Sequence, residues 1–426
     1  MLRPIFIGAS TKQPYSTILD REPILIPSGR GEGAYLDVPR SQTDLLVPTD
    51  RGLYCAAGDF YVDPWKPVER AVVTHAHGDH VAQGCGFYVT SEAGAAVLAA
   101  RLYAPEAGEG HDASDSPSEA GTTAAHAGRI WPLAYGQTRD FGPVRVSLHP
   151  AGHILGSSQV RIEHRGQVCV VSGDYKTALP GEPPDRTCAP FESVPCDVFI
   201  TESTFGLPIY RWQPDRLVFD AMNDWWRENI AAGRTSMVFA YSLGKAQRVL
   251  SGIDPTIGPI AVHGAVVRMN EVYRSAGIAL PDAPHAAGDV IDDIRTRGGL
   301  VVAPPSALGS PWIRRFAARG GGMSGAFVSG WMLVRGTRRR KAVDRGFVLS
   351  DHADWPGLLG AIRATGARRV GVTHGSVGPM VRWLRESGLD AFPVPTRYTG
   401  EIGEEAAAGT KQEDAAAQSP GAEGSA

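Results

Sequence analysis

Ala71-Val72-Val73-Thr74-His75-Ala76-His77-Gly78-Asp79-His80 is the stretch whose reading decides the fold. Its apolar start reads as a buried strand, and that strand runs straight into four side chains that ligate metals. His75 and His77 are two apart, so in extended backbone both rings face one side and one cation can take both. Asp79 and His80 face another direction and suit a second cation nearby. Neutral imidazole with carboxylate fits zinc first, then manganese or iron. The plain alternative is a polar loop without metal, but histidines rarely cluster this way without a ligand role.

Completing ligands stand further along. His149-Pro-Ala-Gly-His153-Ile-Leu-Gly156 follows the alternating segment Val144–Leu148, and Gly152 and Gly156 let the backbone turn tightly around His153. Ser172-Gly173-Asp174-Tyr175 follows an apolar run ending at Val171. A carboxylate there can bridge two cations with its two oxygens.

The 426 residues suggest about two domains. Five cysteines without a CxxC pair make no disulfide framework and fit a reducing compartment. No apolar stretch approaches a membrane span and the N-terminus lacks a secretion signal, so a cytoplasmic protein without a membrane partner is expected. The formal charge is −3, but residues 401–426 hold six acids against Lys411, which leaves a mildly positive body. Such a body neither requires nor excludes nucleic acid.

Composition divides the chain further. Residues 1–42 read as an irregular extension, and 43–208 as the first part of the metal-binding domain. Within it, about 104–129 is a low-complexity insertion. From 209 to 340 strands alternate with helices, which implies a separate parallel α/β module. Its Trp225-Trp226 pair, at helical spacing, belongs to a core rather than a base-stacking platform. The first domain resumes over 341–400, with Phe347-Val348-Leu349 as its returning strand, and 401–426 is a disordered tail.

His75-x-His77-x-Asp79-His80, followed by His153 and Asp174, resembles the metallo-β-lactamase superfamily. Thr201-Glu202-Ser203-Thr204, Ser350-Asp351-His352 and Val372-Thr373-His374-Gly375 resemble motifs A, B and C of its β-CASP nuclease branch. Phe239-Ala-Tyr-Ser-Leu-Gly-Lys-Ala-Gln247 resembles a segment that opens the β-CASP domain of the pre-mRNA 3′-end cleavage endonuclease. Tyr54–Trp65 and Phe205–Trp212 are similar to the bacterial ligase-associated DNA exonucleases, also labelled mRNA 3′-end processing factors. The resemblance implies an αββα sandwich with an inserted β-CASP α/β domain. It implies His75, His77 and His153 on one divalent cation, Asp79, His80 and His374 on a second, and Asp174 between them. His352 becomes the general acid, oriented by Glu202, with Asp79 essential to catalysis. Asp59 or Asp63 supports the ligand loop, and the spacing leaves open which.

The chemistry stands without the family. Two cations, zinc or manganese, can activate water and clamp a phosphodiester while a protonated imidazole releases the leaving group. The expected function is DNA end trimming in repair, beside an ATP-dependent DNA ligase and a helicase. RNA processing is the alternative; His374 is the residue type more usual in RNA-acting members. A small-molecule metallohydrolase would not need the inserted module, and a silent scaffold would not need a full ligand set. Lys245 and the basic run Arg335, Arg338, Arg339 and Arg340 are candidate phosphate contacts.

Overall fold

The computed structural model describes residues 45–103, 129–317, 322–334 and 343–397. The expected N-terminal extension, nearly all of the 104–129 insertion, the arginines at 335, 338, 339 and 340, and the 401–426 tail lie outside the described residues.

Six strands open the fold: β1 (Val47–Thr49), β2 (Gly52–Cys55), β3 (Phe60–Val62), β4 (Arg70–Val72), β5 (Phe87–Ser91) and β6 (Ile130–Leu133). They form one sheet in chain order, parallel from β3 onward. After β5 comes α1 (Glu92–Leu102), capped by Ser91, whose hydroxyl accepts the Gly94 N–H at 3.0 Å. Next are β7 (Thr138–Phe141), β8 (Val144–Pro150), β9 (Ser158–His164), β10 (Gln167–Val171) and β11 (Val198–Glu202). β9 and β10 make the hairpin that their patterning predicts, with Gln167 opposite His164.

The chain then builds a separate sheet. Its elements are α2 (Asp215–Ala231), β12 (Thr235–Phe239), α3 (Lys245–Gly252), β13 (Ile260–Val262), α4 (Gly264–Ser275), α5 (Asp289–Arg297), β14 (Leu300–Ala303), α6 (Pro311–Arg314), β15 (Met323–Val328) and β16 (Arg345–Phe347). The strands lie in the order β13-β14-β12-β15-β16, all parallel. Every residue of β12 is buried, as expected of a strand with parallel partners on both edges and helices on both faces. Trp226 is fully buried, and its indole N–H donates to Gly298 O at 3.0 Å; Trp225 packs in the same core. Arg345–Phe347 corrects the boundary drawn at 340. It pairs with β15 as the module's edge rather than opening the returning domain. A three-residue apolar run does not say which sheet it joins.

The return consists of α7 (Trp355–Thr365), β17 (Arg369–Thr373), α8 (Val377–Glu386) and β18 (Asp390–Pro393). β17 enters the second sheet beside β11, giving the order β18-β17-β11-β10-β9-β8-β7. The first two sheets face each other across Val62, Val72 and Val89 on one side and Val146, Leu148, Val160 and Ile200 on the other. α7 and α8 cover the outer face of the second sheet, and α1 with α4 covers that of the first. The fold is therefore an αββα sandwich with an α/β module inserted between its halves. No helix among the described residues is long and apolar enough to cross a membrane.

This topology gathers chemistry at one end of the sandwich. The loops after β4, β8, β10 and β17, the last residue of β11, and the segment that leaves the module after β16 carry the candidate metal and acid–base residues.

Candidate metal centre

Two groups of donors meet there: His75, His77, His153 and Asp174, and beside them Asp79, His80 and His374. Within each group the donor atoms lie within 4.8 Å of one another. Asp174 Oδ2 links them, 3.7 Å from His75 Nε2, 3.9 Å from His153 Nε2 and 3.5 Å from His80 Nε2.

The hydrogen-bond network fixes which nitrogen of each ring is left for a ligand. Thr74 donates its hydroxyl proton to Asp63 Oδ2 at 2.6 Å, so its oxygen accepts from His75 Nδ1 at 3.1 Å. His80 Nδ1 donates to the same Asp63 oxygen at 2.7 Å. His153 Nδ1 donates to Asp351 O at 2.8 Å, and His77 Nε2 to Leu243 O at 3.3 Å. The remaining lone pairs are His75 Nε2, His77 Nδ1 and His153 Nε2, and they point at each other. His77 Nδ1 is 3.1 Å from His75 Nε2 and 3.0 Å from His153 Nε2. Three converging lone pairs repel unless a positive charge sits between them. His80 Nε2, His374 Nε2 and Asp174 Oδ1 are buried without hydrogen-bond partners, which extends the same demand to the second group. This donor set fits divalent cations.

Burial, then the neighbouring His80 and His153, holds His75 well below the usual imidazole range. Burial, then His352 and His77, pushes His153 down to about 3. Both rings are thus neutral, the form that binds metal. Burial disfavours the charged forms of Asp174 and His80 as well, but their neighbours outweigh it. His80 and His352 hold Asp174 well below the carboxylate range, and Asp79, Asp174 and Asp63 hold His80 well above the imidazole range.

Asp63 resolves the choice left open by spacing. It accepts the Thr74 N–H at 2.8 Å as well as the contacts above, whereas Asp59 is exposed and pairs with Tyr54 and Arg70. Asp63 and His374 both have left-handed backbone, φ 43° and 52°, an unfavourable conformation for residues other than glycine that tight local packing sustains. A Cβ on Gly375, beside His374, would lie 2.3 Å from Ser203 O, so that turn requires glycine.

A third group, Asp174, Glu202 and His352, is of another kind. His352 Nδ1 lies 3.0 Å from both oxygens of fully buried Glu202. Glu202 in turn accepts the Tyr175 N–H at 2.7 Å. This is an oriented acid–base pair whose Nδ1 and carboxylate are already committed to each other. His77, Asp79, Asp174 and His352 open on a cleft of about 160 Å³, closed on the module side by Tyr241, Ser242 and Leu243 and flanked by Arg101.

Lys245 is not at this cleft's surface. Its side chain is fully buried, with the ammonium 3.4 Å from Asp351 Oδ2, so the expected phosphate contact gives way to an internal ion pair. The sequence reading gave Thr74, Arg101, Tyr241 and Asp351 no role of their own. Thr74, Tyr241 and Asp351 stand inside the segments quoted above, a signal that was there to use; Arg101 carries none.

Residues 55–222 match the family model described as the metallo-beta-lactamase superfamily. A protein of Opitutus terrae named "Probable DNA ligase" is 31% identical over 359 residues, covering 84% of this chain and 32% of that protein. A ribonuclease of Thermus thermophilus is 26% identical over 45% of this chain and 44% of its own length. Drosophila melanogaster cleavage and polyadenylation specificity factor 73 is 29% identical over 30% of this chain and 18% of its own. The chain thus spans less than half the length of each of these relatives. Sandwich, inserted module and donor set agree with these matches: the chain carries a metallo-β-lactamase domain, and its inserted module is consistent with the β-CASP branch of that superfamily.

Proposed function

We propose that the protein is a metal-dependent nuclease that trims DNA ends, acting beside an ATP-dependent DNA ligase and a helicase in the cytoplasm. One observation carries this reading: two donor groups joined by Asp174 share a cleft with an oriented His352–Glu202 pair. His75, His77 and His153 would hold one divalent cation and Asp79, His80 and His374 the other, with Asp174 available to both. When bound, two such cations supply charge for the phosphate oxygens and lower the pKa of water enough to make it a nucleophile. The nitrogen and carboxylate donors suit zinc, with manganese second.

The chain's own residues do the rest. Glu202 takes the Nδ1 proton of His352 in a hydrogen bond and so aims Nε2 at the departing sugar oxygen, which receives its proton there. Buried Glu202 sets a carboxylate against Nδ1 without competing for the leaving group. Leu243 narrows the cleft over His77, and Arg101 offers a charge to the backbone phosphates.

RNA cleavage is the second reading, favoured by relatives whose names are ribonucleases. The deciding experiment follows end-labelled single-stranded DNA and matched RNA, with zinc or manganese, for the wild type and Asp79→Ala. Stepwise DNA shortening, lower by about 10³-fold or more in the variant, supports the proposal. RNA cleavage with DNA untouched moves the substrate to RNA. Undiminished cleavage by Asp79→Ala would refute the mechanism.

A further inference from the structure

We infer that Arg248, on the inserted module, is a positioning residue for the catalytic acid, resting on the phosphodiesterase reading above. Arg248 lies on α3 and is 2% exposed. Its Nη1 donates to Ser350 O at 2.6 Å and to Asp351 Oδ1 at 3.3 Å. Its Nη2 donates to Asp215 Oδ2. Its Nε lies 3.0 Å from Asp185 Oδ2 in an ion pair whose angle is too poor for a hydrogen bond. One guanidinium thus ties together α3, the start of α2, the loop at 185 and the segment 350–351. Lys245, three residues earlier on the same helix, takes the other Asp351 oxygen at 3.4 Å.

Asp351 connects this cluster to the chemistry. Its carboxylate is held by the module, and its carbonyl accepts from His153 Nδ1 at 2.8 Å. The next residue is His352, whose N–H donates to Ser350 Oγ at 3.1 Å and whose carbonyl accepts the Trp212 indole N–H at 2.9 Å. Arg248 therefore grips the two residues immediately before the acid, and both also touch the site. A cluster of Lys176, Lys245 and Arg248 against Asp185, Asp215 and Asp351 is a costly way to fill a core. Apolar side chains of similar volume generally stabilise as well or better. What a rigid, forked cation adds is direction. It holds the backbone at 350–351 in one place, and so sets where the His352 ring can stand relative to Glu202 and the cleft.

The test separates position from stability through the leaving group. Thymidine 5′-phosphate p-nitrophenyl ester releases an anion that needs no proton, whereas the phenyl ester releases one that does. Arg248→Met is expected to lower kcat on the phenyl ester by about 30-fold or more, with KM changed less than about 3-fold. The p-nitrophenyl ester should lose less than about 3-fold. Arg248→Lys should recover part of the loss. Asp351→Asn keeps the carbonyl and the volume, and serves as the second variant if Arg248→Met does not fold; the same pattern is expected. Independently of turnover, amide exchange at 350–353 should quicken in the variants while β12 and β14 stay protected. Equal losses on the two esters, or unchanged exchange at 350–353, would overturn the inference. A single-stranded oligonucleotide assayed alongside keeps the two ideas apart. If both esters are cut and the oligonucleotide is not, the nuclease reading falls while the role of Arg248 is still decided by the esters.

Discussion

The donor groups around Asp174 and the ionic cluster around Arg248 both contact the segment 350–352, and most of their side chains are buried. They handle charge in opposite ways. Around Asp174, lone pairs face lone pairs, and three buried polar atoms have no hydrogen-bond partner. Around Arg248, three carboxylates meet three cationic side chains. The first region asks for something from outside the chain; in the second, even the two atoms without a hydrogen bond, Arg248 Nε and Asp185 Oδ2, are opposite charges 3.0 Å apart, so the cluster supplies its own counter-charges. A buried polar cluster points to a ligand only when its own groups leave it unsatisfied, so charge density alone is a poor guide to function.

That contrast is open to attack in order of expected effect. His153→Ala removes one of three converging nitrogens and should lower phosphodiester hydrolysis by about 10³-fold, with bound metal per chain falling, as read by elemental analysis. A variant that keeps both metal and rate would erase the distinction. Glu202→Gln keeps the shape but loses the anion beside His352, and should reduce kcat by about 10²-fold on a basic leaving group with metal content unchanged. Metal should also stabilise the protein: at about 100 times its Kd, a single-site cation adds about 2.7 kcal/mol. Thermal unfolding with and without chelator reads this as several degrees in the wild type and a smaller shift in His153→Ala. The ionic cluster should show no such dependence, so the destabilisation of Asp351→Asn should be the same with or without metal.

Much of this was legible in the sequence because ligands cluster where strands end. The run from Val72 to His80 carries strand, turn and donors in nine residues, and the motifs at His153, Asp174, Glu202, His352 and His374 each follow an apolar segment or stand in a Gly-rich turn. What was not legible depends on contacts across the fold. Asp63 and Asp59 are equivalent in spacing, and only the fold puts one under Thr74 and the other at the surface. Lys245 and Arg248 look like surface cations on a short helix, yet both face Asp351, more than a hundred residues further on. The last module strand was assigned to the wrong sheet because Phe347 and its neighbours are apolar enough for either.

The pairing of β11 with β17 has a consequence for how the protein is made. β11 is buried throughout, and one of its edges is occupied only when Arg369–Thr373 arrives. Val198 pairs with Arg369, so the whole module must leave the ribosome in between. At about 5–20 residues per second, that edge stays bare for roughly 10–30 s. During this interval the nascent chain presents an apolar strand with unpaired backbone groups, a template for other strands. Glu202 and His374, at the ends of those two strands, come together only when the gap closes. A chain halted inside the module has an incomplete donor set and a sticky edge, which makes translation pausing there a hazard that the finished fold no longer displays.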